Sequence, residues 1–189
     1  MVSMAAMSTN TFPRARRSAK GYDILQVEDF LEDAKRAYSA PADAQVLTSK
    51  QIRNTAFLLK RGGYDTAAVD AALERLEDAF AERERAAAVA TLGQAAYAEE
   101  IKSAAQEILA RVTRAPKHRF KRVSGFTLGY RVKDVDAFAD RISEYLQGHE
   151  ALTPEEVRAV SFRVVHGGYR EAQVDALLDA LVEVMLGVR

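Results

Sequence analysis

The chain has 189 residues, of which 48% are apolar, enough to fill one compact domain or two small ones. Lysine and arginine total 27, as do aspartate and glutamate, so net charge gives no reason to expect a nucleic-acid partner and any electrostatic function has to be local. Cysteine is absent, which excludes disulfides, thiolate metal sites and a cysteine nucleophile, and no apolar run approaches the ~18 residues of a membrane span.

Residues 1–11 lack a basic segment ahead of an apolar one, so they do not read as a secretory signal and are expected to be a disordered tail. From residue 12 onward one pattern recurs four times. Gly21-Tyr22 leads to Val27-Glu28, Gly63-Tyr64 to Val69-Asp70, Gly129-Tyr130 to Val135-Asp136, and Gly168-Tyr169 to Val174-Asp175. A fixed spacing repeated in this way marks an internal repeat. The step of five from tyrosine to valine is the spacing of a hydrophobic staple across a helix start, with Asp23, Asp65, Arg131 and Arg170 at the cap position and Gln26 placed to complete a capping box. The cap chemistry is thus lost in the second half, while the tyrosine and valine are kept. The acid after the valine falls in the first helical turn, where the macrodipole favours it.

The second and fourth copies share a longer frame. Leu47-Thr48, Arg53, Phe57 and Gly62-Gly63-Tyr64 match Leu152-Thr153, Arg158, Phe162 and Gly167-Gly168-Tyr169 at an offset of 105, and Phe12-x-Arg14 matches Phe120-x-Arg122 at an offset of 108. The chain is therefore a duplicated pair: residues 12–85 and 120–189, joined by a helical and basic linker over 86–119. Thr48 with Gln51 and Thr153 with Glu156 predict capping boxes, with Pro154 at the first helical position, and these helices are expected to end at Gly62 and Gly167. Val69, Leu73, Leu76 and Phe80 are spaced as one helical stripe, as are Val135, Phe138, Ile142 and Leu146, and Val174, Leu177, Leu181 and Val184. Residues 66–112 read as one long central helix, or two broken near Gly93, with partial coiled-coil character. The predicted fold class is all-α, and four copies in one chain can pair internally, with homo-oligomerisation left open.

No enzymatic site is announced. His118, His149 and His166 have no ligand spacing, so no metal or cofactor is expected; His166 reads as helping a helix C-terminus. The repeated tyrosines fit core packing better than a nucleic-acid stacking platform. The local charge lies in two acid-free stretches: Arg14, Arg16, Arg17 and Lys20, and the segment containing Lys117, Arg119, Lys121 and Arg122. With Phe120, Phe126 and Leu128 among them, these residues are candidate contacts for a protein partner or an anionic membrane surface.

The frame Leu47-Thr48-x-x-x-Ile52-x-Asn54-x-x-Phe57, then Gly63-Tyr64-Asp65 and Val69-Asp70-x-x-Leu73, resembles the N-terminal domain of DivIVA proteins, the bacterial cell-division and polar-growth scaffolds. Several copies in one chain are similar to the DivIVA domain repeat proteins known mainly from actinobacteria. The resemblance implies a cytoplasmic, non-enzymatic, self-associating helical adaptor acting by protein–protein interaction at the septum, the pole or the inner membrane face. Its implied partners are a DivIVA-type scaffold or other division and envelope proteins. The Phe-Arg pair that precedes Gly-Tyr in the scaffold, and is linked there to membrane insertion, is absent from all four copies: the positions hold Ala19-Lys20, Arg61-Gly62, Thr127-Leu128 and His166-Gly167.

Overall fold

Backbone pairing of the Gly-Tyr segments organises the computed structural model, which describes residues 12–40 and 47–188. The expected tail over 1–11 and most of the connector after Ser39 lie outside those residues. The chain divides into two units, residues 1–87 and 88–189. Copies 1 and 2 of the motif pair within the first unit, and copies 3 and 4 within the second.

In the first unit a short strand β1 (Lys20–Tyr22) leads into helix α1 (Ile24–Ser39). A five-residue helix α2 (Ser49–Arg53), the strand β2 (Leu59–Arg61) and the long helix α3 (Thr66–Leu92) follow. β1 and β2 pair antiparallel, with Lys20 opposite Arg61 and Tyr22 opposite Leu59. The second unit repeats the order after helix α4 (Gln94–Val112): β3 (Leu128–Tyr130), α5 (Val132–Leu146), α6 (Pro154–Ala159), β4 (Val164–His166) and α7 (Glu171–Gly187). Here Leu128 lies opposite His166 and Tyr130 opposite Val164. The all-α fold class holds for the bulk of the chain; the two small ribbons were not anticipated. Gly62 and Gly167, with φ of +72° and +66°, close turns after strands rather than ending helices, and His166 sits in a strand. The preceding helices stop early, at Arg53 and Ala159.

Both capping boxes form: Thr48 accepts from the Gln51 amide and Thr153 from the Glu156 amide, each with the reciprocal bond back. Asp23 caps α1 by accepting from the Leu25 amide, whereas Arg131 and Arg170 make no side-chain cap. Gln26 does not reach back to its own helix start, because its Oε1 accepts from the Leu58 amide at 2.9 Å and ties α1 to the entry of β2.

Two apolar clusters fill the first unit. Val27, Tyr64 and Val69 form one, with Tyr22, Phe57 and Phe12 packed on it. Ala34, Ala37, Ile52, Leu76 and Phe80 form the other, joining α1, α2 and α3. Polar groups on α3 finish the neighbouring helix ends. Arg83 donates to the carbonyls of Ala37, Tyr38 and Ala40 at the end of α1, and Glu84 accepts from the Ser49 amide and hydroxyl at the start of α2. In the second unit Val135, Val174, Tyr169 and Phe120 make the matching cluster. The segment read as a linker contributes to this unit's fold, since α4 packs on α5 and α7 and buries Ile108 and Val112. Gly93 (φ +85°) separates α4 from α3.

The motif glycine is explained by close approach. A Cβ on Gly21 would stand 2.1 Å from the Tyr64 carbonyl oxygen, and one on Gly63 would stand 2.4 Å from that of Tyr22. Gly129 and Gly168 face the same obstruction at 2.3 and 2.4 Å. The obstructing atom is backbone in every case, so it cannot swing aside. Gly129→Ala is therefore expected to destabilise the second unit by about 3 kcal/mol or more. Gly148→Ala, at φ +80° with nothing within 4 Å of the new methyl, is expected to cost about 1 kcal/mol. Urea midpoints of the two variants, measured side by side, check this, and equal costs would contradict the close-approach account.

Candidate interaction surface

Each pair of Gly-Tyr segments exchanges two main-chain hydrogen bonds. Tyr22 and Tyr64 each donate N–H to the other's carbonyl at 2.9 Å, and Tyr130 and Tyr169 do the same at 2.9 and 2.7 Å. The side chains swap as well. The Tyr64 hydroxyl donates to Glu28 at 2.6 Å and that of Tyr169 to Asp136 at 3.0 Å, while the carboxylates of Asp70 and Asp175 lie against Tyr22 and Tyr130. The acid following each motif valine thus meets the tyrosine of the paired copy. Burial and these contacts raise the phenols above their ordinary value. The bond to Glu28 and then burial raise Tyr64, whereas burial and then the bond to Asp136 push Tyr169 up to about 12.

The Phe-x-Arg segments lock the same crossings. Phe12 meets Tyr64 edge-on at 5.4 Å, and Phe120 meets Tyr169 at the same distance. Arg14 donates to the Gly62 carbonyl at 3.0 Å and lies over the Tyr64 ring; Arg122 donates to the Gly167 carbonyl at 2.8 Å. Asp65 and Arg170 complete the segment, their amides donating to Pro13 and Lys121. Arg119 and Phe120, grouped by the sequence with surface contacts, are buried at 5% and 6% exposure. Arg119 donates to the backbone of Arg114 and Asp136 and pairs with Asp140, so it fastens the start of this segment to α5. The Lys117 amide donates to Asp136 at 2.8 Å while its side chain stays exposed.

What remains outward-facing is concentrated on the ribbons and the turns leading into them. In the first unit Arg16, Arg17 and Lys20 are exposed, and β1–β2 pairing sets Lys20 opposite Arg61 and Gly21 opposite Lys60. Leu58 and Leu59, at 62% and 52% exposure, lie in the same place. Lys60 forms an ion pair with Asp23. Sequence reasoning missed Leu58 to Arg61, because they lie some 40 positions from Lys20 and carry no motif. The only local signal was a pair of leucines running into a pair of cations. In the second unit Phe126 is 95% exposed and Leu128 54%, with Lys121 and Arg122 on the preceding segment. A separate open groove of about 550 Å³ runs between α5 and the segment before β4, where Phe138 and Phe162 pack together.

Among the described residues no group of three metal-ligating side chains converges, and no helix is long and apolar enough to cross a membrane. No protein-family model, curated protein or solved structure matches the chain.

The Tyr169 phenol supplies a pH test. An unfolded tyrosine ionises near 10 and the folded one at about 12. The full stability is present below pH 10 and is lost as pH rises through 12, because the unfolded chain releases its proton first. Urea midpoints followed from pH 10 to 12 are expected to fall more steeply for the native chain than for Tyr169→Phe, which lacks this group. Parallel slopes would show that the buried phenol does not titrate in this way.

Proposed function

We propose that this chain is a non-enzymatic adaptor of the DivIVA domain repeat type, acting in bacterial cell division or polar envelope growth by presenting its two ribbons to partner proteins. The observation that carries this reading is the internal closure of the Gly-Tyr pairs. Each crossing uses its tyrosines, valines and acids within one unit, which leaves the ribbons as the outward-facing part of the repeat. The titratable groups gathered at the crossings are held by one another and by helix and turn backbone, as a packing role requires. A fluorescent fusion expressed at native level is expected at septa or poles, with a DivIVA-type scaffold or other division and envelope proteins recovered by cross-linking. Diffuse fluorescence through the whole cell cycle would count against the assignment.

A second reading, contact with an anionic membrane surface, is favoured by one specific feature. Lys20 lies directly opposite Arg61 on a two-stranded ribbon, with Arg16 and Arg17 in the turn before it. Like charges in register weaken a sheet, so this arrangement suits an anionic neighbour better than it suits the isolated ribbon. Each cation near such a surface contributes about 1 kcal/mol, and Phe126 offers an apolar contact on the other unit. Replacing Lys20, Lys60 and Arg61 together by Ser is expected to lower sedimentation with phosphatidylglycerol vesicles at least tenfold, leaving neutral phosphatidylcholine vesicles as the baseline. Unchanged sedimentation would remove this reading and leave the protein-partner reading standing.

A further inference from the structure

Each ribbon is preceded by a tight turn, and each turn carries one exposed serine. In the second unit the turn spans 124–127, closed by the Thr127 amide donating to the Ser124 carbonyl at 3.0 Å. In the first it spans 16–19, closed by the Ala19 amide and the Arg16 carbonyl at 2.8 Å, with Ser18 inside it. The two serines are not equivalent under the duplication, since the offset of 108 aligns Ser18 with Phe126. Each unit therefore has its own hydroxyl at this place.

We propose that Ser124 and Ser18 are phosphoacceptor sites for a cation-directed serine kinase, and that phosphate there turns off the attraction of the ribbons for anionic surfaces. The second half of this proposal rests on the membrane reading above; the acceptor assignment does not. Ser124 is exposed, with its hydroxyl 2.8 Å from the Thr127 hydroxyl. The residues before it are held extended: the Arg170 amide donates to the Lys121 carbonyl, and the Val123 amide to that of Gly168. This presents Lys121, whose side chain is exposed, three residues ahead of the hydroxyl; Arg122, two ahead, is held by its bond to the Gly167 carbonyl. Ser18 follows the exposed Arg16 and Arg17, which lie in the same turn. An extended strip with a cation ahead of an exposed hydroxyl is what an acidic substrate cleft can grip through charge-assisted hydrogen bonds.

In the transfer, serine Oγ attacks the γ-phosphorus of a nucleoside triphosphate held by the kinase. The bond from that phosphorus to the bridging oxygen breaks, the nucleoside diphosphate leaves, and the hydroxyl proton passes to the kinase's base. The product carries about −1.5 to −2 charges at neutral pH. No acid lies between Ile108 and Lys133, so a phosphate on Ser124 opposes only cations on its own segment and offsets the charges of Lys121 and Arg122.

The full-length protein isolated from its own cells should yield phosphopeptides containing Ser124 or Ser18. Complete coverage of both peptides without phosphate, in growing and in stationary cells, would overturn the acceptor assignment. Full-length protein phosphorylated with an arginine-directed kinase and ATP is expected to take phosphate at these serines, more slowly after Lys121→Ala and at neither in the Ser18→Ala/Ser124→Ala double variant. Its binding to phosphatidylglycerol vesicles should then weaken about tenfold. Unmodified and phosphorylated protein binding equally well would overturn the switch while leaving the acceptor map intact. If the unmodified protein does not bind at all, the membrane reading fails and takes the switch with it, and the phosphopeptides still decide the acceptor assignment.

Discussion

Everything in either unit depends on two extended segments crossing closely enough to exchange both main-chain hydrogen bonds between their tyrosines. At that separation there is no room for a side chain on the preceding residue, because each motif glycine faces a carbonyl of the other segment at an ideal-Cβ distance under 2.5 Å. The crossing then fixes the rest. It brings the two motif valines into one cluster, sends each tyrosine toward the acid of the other copy, and launches the helices that follow from neighbouring points. Since main-chain bonds at the crossing are shielded by Tyr64 and Tyr169, which are almost fully buried, water competes poorly for them.

The duplicated halves show which parts of this arrangement are indispensable. The Phe-x-Arg lock, the glycine turns, the reciprocal tyrosines and the capping boxes are present in both. The aspartate caps are not, and the helices after Arg131 and Arg170 begin without a side-chain cap. A lost cap costs about 1 kcal/mol at a helix start, less than the clash that follows from losing a motif glycine. A second difference lies deeper. Glu77 is buried and bonded to Arg53 at 2.8 Å, whereas the same offset places Val182 at its counterpart. The arginine is kept as Arg158, with Glu155 of its own helix 3.7 Å away.

Much of this was legible in the sequence. Four spaced motifs and two capping boxes gave the duplication, the helix starts and the internal pairing, since each is encoded by residues a few positions apart. The ribbons were illegible for a physical reason. Strands of three residues show no period-two alternation, and Gly62 and Gly167 look alike whether they end a helix or turn a strand. Gln26 and the motif acids were read locally, as helix-start chemistry, although their partners, Leu58 and the opposite tyrosine, are more than 30 positions away. Arg119 and Phe120 were read as surface because they sit in a basic run. Burial there is imposed by Tyr169 and Asp136, and neither is adjacent in sequence.

The same separation of local from distant effects sharpens the surface. A basic run is an ambiguous signal: some of its members are consumed by the fold, as Arg14, Arg119 and Arg122 are, each donating to backbone carbonyls. Cations that the crossing does not use carry more information. Arg16 and Arg17 lie exposed in the turn before Lys20, and β1–β2 pairing sets Lys20 against Arg61 where opposite charges would have favoured the ribbon. A local rule broken within a fold that otherwise obeys its rules is where functional or strained sites are expected. The crossing therefore has two products, a core closed within the unit and a ribbon on which Lys20 and Arg61 face each other in register.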